Sequence, residues 1–295
     1  MMFYDYVIAD VRLRADMDLV AAGIRGFKPF EVERCDAEAD CELRHDPEFT
    51  EAAVIIEQQL GTSYVTEADA DSSFSRTTTG YLYSIKRRKA DSLATLFHIE
   101  RDTKVITTNI ETTDSIDVSI LRFGIWVMFG VVLASKSAIA IHSSAIVTHG
   151  RGVLFLGESG TGKSTHTRLW REHIEGARLL NDDSPIIRIK DGELRIYGSP
   201  WSGKTPCYKN ESYPIAGFCR LAQAPYNKIL RLPAIVAICA LLPSCPPIFA
   251  HDEYLQDCIC ATIGEAIRRV PTFRLECLPD KAAAELSYTT ILQNA

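Results

Sequence analysis

Apolar and polar positions change their spacing along the chain, and the changes divide it into elements. Residues 5–14 alternate loosely through Tyr6, Ile8, Asp10 and Arg12, as one first strand would. Residues 33–48 are acidic and interrupted by Pro47, so a loop is expected. Residues 50–60 suit a helix capped by Thr50 and stopped by Gly61, or a strand through Val54, Ile55 and Ile56. Residues 66–79, rich in Ser, Thr, Asp and Ala, read as loop. Three short segments follow at 81–86, 94–99 and 104–110. They are β-branched or aromatic and separated by polar turns, the pattern of an antiparallel meander. Residues 1–113 are therefore expected to form a smaller, β-rich N-terminal accessory domain.

Asp114 is the expected cap of a long helix over 115–134, apolar on nearly all sides, that bridges the two halves. Its charge-free part, 123–134, is shorter than the roughly 20 residues a membrane span needs, so a buried helix is expected. Residues 137–148 read as a strand, 149–152 as a tight turn and 153–156 as a second strand. A further strand at 177–180 runs into Asn181-Asp182-Asp183. Residues 186–189 and 194–197 flank Asp191-Gly192 as a hairpin, and 198–204 form a loop. The apolar run 233–242 is expected as a central strand. An amphipathic helix over 252–270, a strand over 272–278 and a last helix from Pro279-Asp280 complete an α/β domain over 114–295.

Composition narrows the function classes. The chain has 295 residues, 46% apolar and 24% charged, with a formal charge of −6, so no global field draws nucleic acid or an anionic membrane. The one basic cluster, Lys86-Arg87-Arg88-Lys89, reads as a solvated turn. Nine cysteines occur without a C-x-x-C, the nearest pair being Cys258 and Cys260. Free thiols and a cytoplasmic location are expected. Met1-Met2-Phe3-Tyr4-Asp5-Tyr6 lacks a basic region followed by an apolar core, so no signal peptide is expected.

The chemistry centres on Gly157-Glu158-Ser159-Gly160-Thr161-Gly162-Lys163-Ser164, which fits the phosphate-loop pattern G-x-x-x-x-G-K-[ST] at every fixed position. An apolar strand precedes it, and a segment from Thr165 to Ile174 without Pro or Gly follows it, as the pattern requires. Residues 157–165 would cradle a nucleoside triphosphate with backbone N–H groups, Lys163 would reach its β- and γ-phosphates, and Ser164 would ligate Mg²⁺. Asp182 and Asp183 end the strand after the loop's helix, where one carboxylate can hold Mg²⁺ and the other can activate a hydroxyl. Lys204 lies in a Gly- and Pro-containing loop suited to closing over substrate. Arg231 is a candidate internal arginine finger. His166 and Arg168 are expected at a surface or purine-side position.

The phosphate loop with an Asp-Asp pair close behind resembles the HPr serine kinase and phosphoenolpyruvate carboxykinase superfamily, nearest to its HPr-kinase-related proteins. The likeness covers about residues 139–292 and is strongest from His142 to Asp183. It implies a P-loop mixed sheet of the HPr kinase/carboxykinase type, with a site role for His142, which stands on the strand before the phosphate-loop strand. It also suggests that Asp182 faces the acceptor and Asp183 the metal, with Ser164 as the second metal ligand. Where HPr kinases carry Glu-Ile-Arg-Gly-Leu-Gly, this chain has Tyr208-Lys209-Asn210-Glu211-Ser212-Tyr213-Pro214-Ile215. The expected function is an ATP- and Mg²⁺-dependent kinase acting on a hydroxyl of a small molecule or a peptide or protein serine. A nucleotide-gated regulatory ATPase and carboxykinase-like transfer on a keto acid are the alternatives. ATP against GTP and a homo-oligomeric state are left open.

Overall fold

The computed structural model describes residues 3–16, 19, 26–35, 37–89, 93–112, 117–203 and 205–293. Asp114 and Lys204 lie outside these residues. The chain is a mixed α/β protein with two mixed sheets. It divides into two compact units: residues 1–135 with 248–256, and residues 136–247 with 257–295.

The first unit opens with a hairpin of β1 (Phe3–Ile8) and β2 (Val11–Asp16) rather than the single expected strand. Ala9 and Asp10 turn the chain with φ of 52° and 57°, the left-handed pair that a two-residue hairpin turn needs. The unit continues through β3 (Glu31–Val32), β4 (Cys41–His45), β5 (Ile56–Val65), β6 (Ala70–Thr77), β7 (Gly80–Arg87), β8 (Thr95–Glu100) and β9 (Val105–Thr108). Among the described residues these make a nine-stranded sheet in the order β3-β1-β2-β4-β9-β8-β7-β6-β5. Two expected loops contain strands. β4 lies within 33–48 and runs parallel to both β2 and β9. β6 lies within 66–79, where its Ser-rich sequence carries little strand propensity and pairing with β5 and β7 on both sides decides the conformation. Residues 50–60 hold a short 3-10 turn at Glu51–Ala53 and the start of β5 at Ile56, so Val54 and Ile55 lie in neither the expected helix nor the alternative strand, and Gly61 sits inside β5.

Helix α1 (Val118–Ala134) is capped by Asp117, whose carboxylate accepts from the Ser119 and Ile120 backbone N–H groups. It belongs to the first unit instead of bridging, and the compact units divide after Ser135 rather than at 113/114. Packing explains this: Phe123 lies against Tyr83, and Gly124 sits so close to Phe97 that a Cβ there would meet the ring at 2.2 Å. Among the described residues no helix is long and apolar enough to cross a membrane.

The second unit begins with β10 (Ala138–Ala140) and β11 (Ser143–Thr148), where one strand is expected. The chain breaks at Ile141 and His142 because their N–H groups donate to Pro185 and Ser244 carbonyls, at 2.9 and 2.7 Å, rather than to a neighbouring strand. Next come β12 (Arg151–Leu156), α2 (Lys163–His173), β13 (Arg178–Asp183), and the hairpin β14 (Ile186–Lys190) and β15 (Glu193–Tyr197). Then follow β16 (Ser212–Gln223), β17 (Lys228–Arg231), α3 (Ala234–Leu241), α4 (Glu253–Arg269, whose residues up to Gln256 count with the first unit), β18 (Thr272–Cys277) and α5 (Lys281–Gln293).

The central strand is β16, not the run 233–242, which is helix α3. An eight-residue apolar helix and a buried strand share one hydropathy signature. β16 is hidden by Pro214, which sits where the strand changes partners. Residues 212–214 pair antiparallel with β15; beyond them β16 runs parallel to β12 on one side and β18 on the other. β12 is flanked in turn by β11, which pairs with β13. Phe155, Trp170, Cys219, Phe273 and Ile291 form the core that fixes β12, α2 and α5 against this sheet.

Candidate functional site

The glycine loop leaves β12 at Leu156 and enters α2 at Lys163. Its form needs glycine. A Cβ on Gly157 would lie 2.4 Å from Thr161 Oγ1, and Gly160 and Gly162 take φ of 83° and 102°. Thr161 donates its hydroxyl to Glu158 O at 2.8 Å. Lys163 curls back so that Nζ donates to Gly157 O at 2.7 Å and Glu158 O at 3.2 Å. Burial pulls the Lys163 ammonium below its ordinary pKa, while Asp183, Glu158 and Asp182 favour the charge. The N–H groups of Lys163, Ser164 and Thr165 open α2 on the positive side of its dipole.

The helix behind the loop is locked in place. His166 Nε2 lies 3.0 Å from Ser287 Oγ on α5, and Trp170 Nε1 donates to the same oxygen at 2.9 Å. Phe155 packs against both rings. His166 is therefore buried, not at a surface or purine-side position, and burial lowers its pKa to about 4. Arg168 is exposed and paired with Glu172 at 2.7 Å.

The acid pair ends β13, in register with β11: Ser144 stands opposite Asp182 and Ser143 opposite Asp183. Asp182 is buried. Its carboxylate accepts from Ser144 Oγ at 2.7 Å and from Ser164 Oγ at 3.1 and 3.3 Å. Ser144 also meets Thr167 Oγ1 at 3.2 Å. Ser164, expected as a metal ligand, thus bonds Asp182. The Asp183 side chain is 48% exposed, with Oδ1 3.7 Å from His142 Nε2. Neighbouring strand residues point opposite ways, which is why the two acids part company. Burial and the nearby Lys163 depress the His142 pKa against the opposing pull of Asp183, so its imidazole is neutral at pH 7.

The loop after β15 holds this strand end. Asn181 Nδ2 donates to Trp201 O at 2.9 Å and to Ser199 Oγ at 3.2 Å, while its Oδ1 accepts from the Ser184 N–H at 2.9 Å. The Gly203 N–H donates to Asp182 O at 2.9 Å, and a Cβ on Gly203 would meet that oxygen at 2.7 Å.

The structure thus brings His142, Lys163, Ser164, Asp182 and Asp183 together around the mouth of the loop. Arg231 is exposed on β17, opposite Phe273, with β18 and β16 lying between its strand and β12. The cation beside the loop is Arg220 on β16, whose Nη2 reaches Glu158 Oε1 at 2.7 Å. Gln223, also on β16, donates to Gly160 O at 3.1 Å. Sequence reasoning passed over both because it did not see the strand; a single Arg inside the apolar run 215–222 is the signal that could have found one of them. The basic cluster has internal partners: Arg88 bonds Asp71 at 2.7 Å, and Arg87 pairs with Asp117. Among the described residues no cysteine is in a disulfide. Among the described residues no group of three or more His, Cys, Asp or Glu is gathered for a metal.

No protein-family model matches the sequence, and the comparison with curated proteins returns no match. Among solved structures the chain is similar to the HPr(Ser) kinase/phosphatase from Coxiella burnetii. That similarity covers 52% of this chain and 87% of the other, at 14% identity and a TM-score of 0.30.

Proposed function

We propose that this chain is a kinase that uses Mg·ATP to phosphorylate a hydroxyl group. The observation that carries the reading is the Ser164–Asp182 hydrogen bond at the first turn of a helix entered through a G-x-x-x-x-G-K-S loop. A loop hydroxyl next to a buried carboxylate is a donor set suited to Mg²⁺, which takes one or two protein ligands and completes its shell with water and phosphate oxygens. The backbone of 157–165 and the Lys163 ammonium suit a triphosphate. When bound, the nucleotide supplies the phosphoryl group.

This chain's own groups then divide the remaining work. Ser164 and Asp182 orient the metal. Asp183, half-exposed beside a neutral His142, takes the proton of the acceptor hydroxyl, so the order of the acids is the reverse of that suggested by the resemblance. The acceptor is a small molecule or a peptide or protein serine.

The test is incubation of the protein with γ-labelled ATP and fractionated cell extract, following the label. Label appearing in a metabolite, peptide or protein supports the reading. Nucleotide turnover with label only in free phosphate identifies a regulatory ATPase instead, and absence of Mg·ATP binding removes both.

A further inference from the structure

Glu158, the second residue of the glycine loop, places a carboxylate beside a loop otherwise suited to anions. Its side chain is 70% exposed, yet Arg220 Nη2 holds Oε1 at 2.7 Å from the neighbouring parallel strand. The other terminal nitrogen of that guanidinium, Nη1, donates to Ala240 O at the end of α3 at 2.9 Å. Arg220 is thus anchored on one side by backbone and turned toward the loop on the other. Its charge also falls on Lys163, where it disfavours the protonated ammonium.

The pair is not needed to shape the loop. Lys163 Nζ, the Thr161 hydroxyl and the glycine backbone set its course without the Glu158 side chain. An ion pair with one partner this exposed contributes little stability. A planar guanidinium, by contrast, matches phosphate oxygens as well as it matches a carboxylate.

We propose that Arg220 is a second phosphate-binding cation of this site, held in reserve by Glu158. Resting on the reading that the loop takes a nucleoside triphosphate, Arg220 pivots on the Ala240 carbonyl, exchanges the Glu158 carboxylate for a phosphate oxygen, and leaves Glu158 to water. Glu158 then acts as a competitor that tunes nucleotide affinity downward, because its carboxylate both occupies Arg220 and repels phosphate.

The test is calorimetric titration of the full chain and its variants with Mg·ATP. Wild-type binding that is lost in Lys163→Ala establishes the phosphate-loop reading by itself; no wild-type binding overturns that reading and the exchange with it. Given wild-type binding, Glu158→Gln is expected to tighten ATP severalfold, and Arg220→Gln to weaken it by at least tenfold. Arg220→Lys, which keeps the charge without the fork, should fall between. If the pair merely braced the loop, Glu158→Gln and Arg220→Gln would weaken binding alike. Weaker or unchanged binding in Glu158→Gln overturns the exchange while leaving the loop's nucleotide role intact. Because Glu158 is exposed, that variant decides the matter even if the Arg220 variants fold poorly.

Discussion

Ser164 Oγ lies 3.1 Å from one carboxylate oxygen of Asp182 and 3.3 Å from the other, whereas Asp183 turns to His142. The two adjacent acids therefore face different chemistry, and their variants should fail differently. Asp182→Asn is expected to raise the Mg²⁺ concentration needed for half-maximal transfer. Asp183→Asn should lower the transfer rate by about 10²–10⁴, the usual contribution of a general base, with Mg·ATP affinity nearly unchanged. Rate measured against Mg²⁺ for both proteins decides it. A metal defect confined to Asp183→Asn would restore the order that the resemblance suggested.

Lys163→Ala should abolish γ-phosphate transfer, since it removes the ammonium expected at the β/γ-phosphates. The folded chain should survive, because the lost interactions are hydrogen bonds to Gly157 O and Glu158 O, worth about 1 kcal/mol each. Urea unfolding alongside the activity assay separates the two effects. Full activity in this variant would refute the phosphate-loop assignment.

How much was legible follows from what each signal encodes. The glycine loop, its strand and its helix could be read because the positive φ values at Gly160 and Gly162 leave little choice of residue. The hairpin 186–197 could be read because Asp191-Gly192 announces its turn, with φ of 50° and 80°. β6 and β16 could not be, since pairing on both sides, rather than local propensity, makes Ser-rich 70–77 and Pro214-containing 212–223 into strands. The site was half-legible for the same reason. Lys163, Ser164 and the two acids declare themselves by spacing, but Ser144 and Arg220 matter only through strands that lie beside β12 and β13 in the sheet. The order of the acids depends on which way β13 faces, and spacing along the chain does not carry that.

Asp252 should be a large stability determinant of the first unit. It is buried, accepting from the Tyr81 hydroxyl at 2.9 Å, from Arg76 Nη1 at 3.2 Å and from the Leu255 N–H at 3.0 Å. Burial and this carboxylate keep the Tyr81 phenol neutral far above the usual range. Asp252→Ala strands a buried hydroxyl and removes the cap of α4, which should cost about 2–4 kcal/mol. Asp252→Asn keeps an acceptor and should cost less. Urea denaturation monitored at the buried tyrosines measures both, and a loss below 1 kcal/mol for the Ala variant would show that the network contributes little.

His166 should make the second unit sensitive to acid in a defined window. Its imidazole is enclosed by Phe155, Trp170 and Ser287, with its pKa lowered from 6.5 to about 4. The unfolded chain therefore takes up a proton that the folded chain refuses. Stability from this group is complete above about pH 6.5 and is lost progressively as the pH falls toward 4. Between pH 7 and pH 5 the loss attributable to His166 should be about 2 kcal/mol. His166→Gln retains a polar partner for Ser287 but has nothing to titrate. It should be somewhat less stable than the parent at pH 7 and should close that gap at pH 5. Comparing the change in unfolding free energy between the two pH values for parent and variant cancels the contribution of every other titrating group. Equal changes in the two proteins would mean that His166 is protonated at no cost in the folded state, contrary to its burial against Phe155 and Ser287.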